Sequence, residues 1–167
     1  MILANKKIQI YTFSFLLVFI VAGISTYFTK QGVNTVWANC VRSPFQPPNI
    51  TFSIVWTILY IIIAIGLAHT FLLNPENINR RILLQLYTCN LLLNIVWCFV
   101  YFLQHDIRYG FFIICIIFIS QLFILYYTYY SQPKWLFGLL CLYALWLFFA
   151  GILNLTAIPN IRKCLRS

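Results

Sequence analysis

Charged side chains are scarce in this sequence, and acidic ones are nearly absent. Only 8% of the 167 residues are charged, and Glu76 and Asp106 are the two acids, whereas a soluble domain carries about a quarter charged residues. A chain that is 63% hydrophobic cannot cover itself with polar surface. We therefore predict that lipid forms most of its surroundings and, at this length, that the chain is a single domain.

Residue patterns that support familiar chemistries are also absent. No charged residue lies inside an apolar run, apart from those near the ends, whereas proton-coupled transporters and pumps usually need one. The sequence has no Gly-rich phosphate loop and no His-Glu-x-x-His motif, and Asp106 is its one aspartate. A pump, a kinase and a conventional hydrolase are therefore not predicted.

The cysteines and histidines show no metal-binding pattern. No two of the six cysteines form a Cys-x-x-Cys pair, and four lie in apolar runs, so we interpret all six as small buried apolar side chains. A metal site would need regularly spaced ligands with histidine partners. His69 and His105 are isolated, and each could be an interfacial histidine or a haem ligand. No metal site is predicted.

Basic residues outnumber acids by 11 to 2. They lie at the ends of the apolar runs, where they would meet lipid headgroups, and the chain ends on a basic tail of Arg162, Lys163 and Arg166. No patch reaches the density of a nucleic-acid interface, so membrane lipid is the predicted partner. The basic residues divide almost evenly between the two sides, so they assign neither an orientation nor a particular membrane.

Five continuous apolar runs predict an all-α integral membrane protein, an up-down bundle of five transmembrane helices. The runs cover about residues 8–29, 50–73, 82–103, 109–130 and 135–158, long enough to cross a ~30 Å hydrocarbon core. Short connections make consecutive helices antiparallel neighbours, and residues 31–46 form a long first loop. Barrel strands would alternate apolar and polar residues. The first run could be a signal peptide, but apolar regions of signal peptides are about 7–15 residues long, so we predict a retained helix.

The stretch from Pro47 to Tyr60 organises the predicted bundle. Prolines suit the first turn of a helix, because the N–H groups that they lack would be unpaired there. Trp56 and Tyr60 follow four residues apart and therefore share one helix face. This stretch predicts a helix entered from a stiff loop, with an indole and a phenol just inside the membrane.

Amide and indole side chains recur on the other spans. Asn90, Asn94 and Trp97 form a stripe on the third span, and Tyr143 and Trp146 lie on one face of the fifth. Taken singly, such amides join helices by hydrogen bonds and such aromatics fill space. Because three helices each present an indole, however, we predict an aromatic cavity with amide handles, suited to a flat ligand.

The predicted ligand-binding residues fall into two groups. Arg42, in the first loop, would pair with a ligand carboxylate at the mouth of the cavity. The remaining candidates lie on the second, third and fifth spans: Trp56, Tyr60, Asn90, Asn94, Trp97, Tyr143 and Trp146.

Three segments resemble the TspO/MBR family, which comprises tryptophan-rich sensory proteins and the mitochondrial translocator protein. The second span opens on PPNITFSIVWTILY, the third contains NLLLNIVWCFVYF, and the fifth contains LYALWLFFAGILN. The positions that match the family's motifs are Pro47, Pro48, Val55, Trp56, Leu59, Tyr60, Leu93, Asn94, Trp97, Tyr143, Trp146, Phe149, Ala150, Leu153 and Asn154. Arg42 falls where the family has lysine. The tyrosine of a proposed cholesterol motif, which would follow Asn154, is missing.

The resemblance implies a five-helix membrane protein, commonly a homodimer, that binds a porphyrin in a pocket under the first loop. Protoporphyrin IX or haem is the implied ligand, no cofactor is required, and Trp56, Asn94 and Trp146 match the family's pocket. The implied role is that of a sensor or carrier in stress responses. A light-dependent porphyrin-degrading enzyme, with Trp56 and Trp146 as catalytic candidates, and a lipid- or sterol-binding translocator remain alternatives, so catalysis is left open.

Overall fold

The computed structural model describes residues 2–164, apart from the side chains of residues 2–4, 162 and 163; of the predicted basic tail, Arg166 lies outside this range. Five helices are long and apolar enough to cross a membrane, and residues 2–164 contain no strand. This confirms the predicted all-α membrane fold. In chain order the elements are α1 (Ile2–Gly32), α2 (Val36–Val41), α3 (Asn49–Leu72), α4 (Ile78–Cys98), a π-helical turn (Phe99–Leu103), α5 (Ile107–Ser131) and α6 (Lys134–Cys164).

Consecutive long helices pack against one another, as predicted, and contacts of α1 with α4 and of α3 with α6 complete the bundle. Each long helix contributes fully buried apolar side chains to one core, among them Val18, Ile63, Leu83, Ile117 and Leu140. Large apolar side chains also cover the outer faces. Because lipid is as apolar as these side chains, close packing and hydrogen bonds between helices must hold the bundle together.

The predicted first loop contains a short helix that lies across one end of the bundle. Residues 33–48, here called the cap segment, include α2, whose first turn is capped by Thr35: its side-chain oxygen accepts a hydrogen bond from the Ala38 N–H at 3.1 Å. Val41, at the end of α2, is buried with Ile107 and Ala157 in a small separate core. The cap segment is therefore anchored to the bundle by apolar packing.

Polar contacts fasten the cap segment to the end of α6. Ser43 and Thr156 are joined by a hydrogen bond of 2.8 Å between their hydroxyls. The Asn160 side-chain amide donates to the Arg42 carbonyl oxygen at 3.0 Å. α6 continues past Pro159 to Cys164, although a proline removes one helix hydrogen bond. This last part of α6 is the part that packs on α2.

A disulfide between Cys40 and Cys164 ties the cap segment covalently to the end of α6, with the two Cα atoms 5.8 Å apart. Our interpretation of all six cysteines as buried apolar side chains is therefore wrong for this pair. It is also wrong for Cys89, whose thiol is free but exposed, whereas Cys98 is buried. The paired cysteines are 124 residues apart in sequence, so no local sequence pattern predicts the disulfide.

The end of α4 approaches the end of α1 closely. The π-helical turn Phe99–Leu103 continues α4, and His105 then adopts a left-handed backbone conformation with φ 58°, which ends the helix. A Cβ atom at Gly32 would overlap the backbone of Phe102. Glycine at this position therefore allows α1 and the π-helical turn to meet directly under the cap segment.

Candidate functional site

A cavity of about 340 Å³ lies between α1, α3 and α4, beneath the cap segment. Val33 and Gln46 of the cap segment lie at its upper end. Ser25, Tyr60 and Cys98 line it further from the cap segment, and their side chains lie next to one another. On α1 the lining continues to Phe19, 13 residues before the end of the helix at Gly32, so the cavity reaches roughly 20 Å into the bundle.

One wall of the cavity is aromatic and is centred on Trp56. The Trp56 ring lies 6.1 Å from that of Trp97 at an angle of 29°, a stacked arrangement. Tyr60, one turn further along α3, lies 5.7 Å from Trp56, and Tyr101 stacks on Trp97 at 5.4 Å. Four side chains of α3, α4 and the π-helical turn thus form a continuous row of rings, of which Tyr60, Trp56 and Trp97 line the cavity.

The opposite wall is polar and comes largely from α1. Ser25, Thr26, Thr29 and Lys30 line it, and the Thr29 hydroxyl donates to the Ser25 carbonyl oxygen at 2.9 Å. On α3, Ser53 also contributes a hydroxyl, which donates to the Asn49 carbonyl oxygen at 3.1 Å. Hydroxyls bonded to their own helix satisfy their donors in lipid, and they leave acceptor sites for a ligand.

Three of the predicted ligand-binding residues, Asn90, Asn94 and Tyr143, form a buried hydrogen-bond network behind the aromatic wall. Asn94 Nδ2 donates to the Tyr143 hydroxyl, which donates in turn to Asn90 Oδ1, both at 2.9 Å. Asn90 Nδ2 donates to Ser120 Oγ at 2.7 Å. These bonds join α4 to α5 and α6, and none of the three residues lines the cavity.

Trp146 contacts the aromatic wall from the outside. Its ring is perpendicular to that of Trp56 at a centroid distance of 6.4 Å and lies 5.3 Å from that of Phe52. It lines a shallow apolar groove between α3 and α6, with Val55 and Leu142 among its neighbours. Trp56, at the cavity, and Trp146, at the groove, are therefore in direct contact although they face different spaces.

Arg42 is engaged within the cap segment. Its Nη2 donates to the Pro47 carbonyl oxygen at 3.0 Å, and it lines a small space of about 20 Å³ beside Trp37 and Tyr101. This space adjoins the cavity, since both are lined by Gln46 and Asn49. Of the eight predicted ligand-binding residues, Trp56, Tyr60 and Trp97 line the cavity between α1, α3 and α4.

The α1 wall was not predicted from the sequence, although a signal for it exists. Ser25 and Thr29 lie four residues apart in an otherwise apolar run, and such spacing puts both hydroxyls on one helix face. We took Lys30, which follows them, only as the end of the span. The predicted cavity rested on amides and indoles, and hydroxyls at helical spacing were not included in it.

These features define a multi-pass membrane protein with a cavity, half aromatic and half polar, beneath a cap segment. A family model described as the TspO/MBR family matches residues 14–158. The chain therefore belongs to the TspO/MBR family, as the resemblance predicted.

Two curated relatives agree with this assignment. The tryptophan-rich protein TspO of Archaeoglobus fulgidus is 30% identical over 141 residues, which cover 84% of this chain and 90% of that protein. Protein CrtK of Rhodobacter capsulatus is 28% identical over 120 residues, 71% of this chain and 74% of that protein.

Proposed function

We propose that this protein binds a tetrapyrrole, protoporphyrin IX or haem, in the cavity between α1, α3 and α4, and acts as a membrane sensor or carrier. The observation that carries the proposal is the stacked pair of Trp56 and Trp97 on the cavity wall. Large flat rings bind well against indole faces, because offset stacking adds to the gain from burying apolar surface. The cavity volume of about 340 Å³ lies within the range of small-molecule pockets, roughly 300–1,000 Å³.

Neither histidine is placed to ligate the iron of a haem in the cavity. Neither His69 nor His105 lines the cavity. His69 accepts or donates a hydrogen bond with the Tyr11 hydroxyl at 2.9 Å, near the opposite end of the bundle, and His105 packs on Trp37 with ring centroids 4.4 Å apart. A haem in the cavity would therefore have no histidine as an axial ligand.

The test is a titration of the purified protein with protoporphyrin IX in detergent, followed by quenching of tryptophan emission in the dark. Trp56→Ala should weaken binding by more than about tenfold, because it removes the centre of the aromatic wall, and Trp56→Phe should weaken it less. Trp135→Phe is the matched control, since Trp135 lies beside His69 away from the cavity. Equal affinities for the parent and for a folded Trp56→Ala variant would rule out this site.

The contact between Trp56 and Trp146 favours a second candidate function, light-dependent degradation of the bound porphyrin. An excited porphyrin transfers energy to dioxygen, and indoles held against the porphyrin are oxidisable. Trp56 lines the cavity, and Trp146 contacts the Trp56 ring. Illumination of the complex in air should then bleach the Soret band faster than in free porphyrin. Bleaching at the rate of the free compound would leave binding as the function.

A further inference from the structure

We propose that Lys30 is the anion-recognition residue of this cavity, so that its ligand is a planar apolar molecule with a carboxylate at one edge. The inference rests on the proposed function and deepens it, because it names the acidic group that the site recognises. Lys30 lies in the last turn of α1 and lines the cavity. Lys30 is the one cation among the described residues that line this cavity.

The charge of Lys30 has no counterion among the residues that the structure describes. The sequence contains only two acids, and Asp106 uses one carboxylate oxygen to accept the N–H groups of Arg108 and Tyr109 at 3.1 Å. Glu76 lies in the connection between α3 and α4, at the opposite end of the bundle. Lys30 forms no ion pair with any described side chain.

Two side-chain amides also line this cavity, from the cap segment and from the first residue of α3. Gln46 and Asn49 line it together with Lys30, and neither side-chain amide is engaged with another described residue. An ammonium group and two amides can together donate several hydrogen bonds to one carboxylate. Near lipid, such a group of donors favours an anion more strongly than it would in bulk water.

Arg42, the residue that the sequence suggested for this role, has another task. Its guanidinium donates to the Pro47 carbonyl oxygen, and it does not line the cavity. The expected roles of Lys30 and Arg42 therefore differ, and substitution of each residue distinguishes them. Removal of Lys30 should affect ligands according to their charge, whereas removal of Arg42 should loosen the cap segment and affect charged and neutral ligands alike.

The experiment compares protoporphyrin IX with its dimethyl ester, which has the same ring and no charge. Tryptophan quenching gives the Kd of each for the parent protein, Lys30→Gln, Arg42→Gln and Lys7→Gln, in nanodiscs of zwitterionic lipid. Lys7 is an exposed lysine at the other end of α1 and serves as the control. We expect Lys30→Gln to weaken binding of the acid about five- to tenfold and to leave that of the ester unchanged.

A non-tetrapyrrole pair separates this inference from the proposed function. Pyrenebutyric acid and pyrenebutanol are planar and differ in the acidic group. If the parent binds neither porphyrin but Lys30→Gln selectively weakens the pyrene acid, the proposed function fails and the inference stands. The inference is overturned if Lys30→Gln does not distinguish acid from neutral ligand in either pair. This covers equal weakening of both affinities and no weakening of either.

Lipid phosphate is the other anion that Lys30 could meet, so the titrations are repeated in nanodiscs that contain anionic lipid. If anionic lipid weakens binding of the acid to the parent but not to Lys30→Gln, lipid and ligand carboxylate compete for Lys30. That result supports the inference. A Lys30 effect that appears only in anionic nanodiscs and is the same for acid and ester would assign the residue to lipid and overturn the inference.

Discussion

The hydrogen-bond network of Asn90, Asn94 and Tyr143 holds helices together and does not contact the cavity. Tyr143→Phe tests whether this network stabilises the fold or binds the ligand. The substitution removes one hydroxyl and keeps the ring. It deletes the bond that this hydroxyl accepts from Asn94 and the one that it donates to Asn90. We expect a less stable protein whose affinity for protoporphyrin is unchanged.

The expected magnitude follows from what remains after the substitution. Asn94 Nδ2 still donates to the Asn90 carbonyl oxygen at 2.8 Å and to Asn90 Oδ1 at 3.2 Å, so neither amide loses every partner. Hydrogen bonds between membrane helices contribute about 0.6 kcal/mol on average and up to about 1.7 kcal/mol. Loss of two of them should therefore lower the free energy of unfolding by about 1–2 kcal/mol, roughly a tenfold change in the unfolding equilibrium.

The assay is reversible unfolding in mixed micelles as the fraction of denaturing detergent is raised, followed by far-UV circular dichroism. Tyr130→Phe is the control, because the Tyr130 side chain is exposed at the end of α5 and its hydroxyl has no partner among the described residues. A Tyr143→Phe variant as stable as the parent, with a weaker affinity for protoporphyrin, would refute the reasoning. Asn90 and Asn94 would then be ligand handles, as the sequence suggested.

Two further predictions concern the cap end of the bundle. Replacement of Cys40 and Cys164 by serine should lower the unfolding temperature, since a closed loop of this length stabilises by up to about 5 kcal/mol. The control Cys89→Ser should leave the unfolding temperature unchanged. Alkylation of six thiols in the unreduced parent protein would contradict the pairing. Gly32→Ala should destabilise, because its Cβ would overlap the Phe102 backbone, whereas Gly23→Ala, which meets nothing within 4 Å, should not. Equal stability of the two alanine variants in detergent would refute the close approach.

The five spans could be predicted because the bilayer imposes its requirement locally. Each backbone polar group must be satisfied within its own helix, so a membrane helix appears in the sequence as one unbroken apolar run. The helix bounds extend beyond the predicted spans at both termini, where α1 begins at Ile2 and α6 ends at Cys164. These extensions leave the apolar runs, so hydropathy carries no signal for them.

The cap segment and the polar wall depend on contacts between distant residues, and sequence patterns do not encode these. We predicted residues 31–46 only as a long first loop, whereas the Thr35 cap and burial of Val41 stabilise a short helix there. The indoles were predicted to share a cavity from their helical faces alone. Which face of Trp146 meets Trp56 is decided by how α3 and α6 pack, and no periodicity within one helix reports that.

The disulfide divides the bundle into two mechanical parts. The chain from Cys40 to Cys164 is a covalently closed ring that includes the four helices α3–α6, and α1 alone among the long helices lies outside it. The aromatic wall belongs to this ring, whereas most of the polar wall, including Lys30, belongs to α1. The two halves of the cavity thus lie on opposite sides of this covalent boundary. Apart from the short connection of residues 33–39, only noncovalent packing of α1 sets the width of the gap between them.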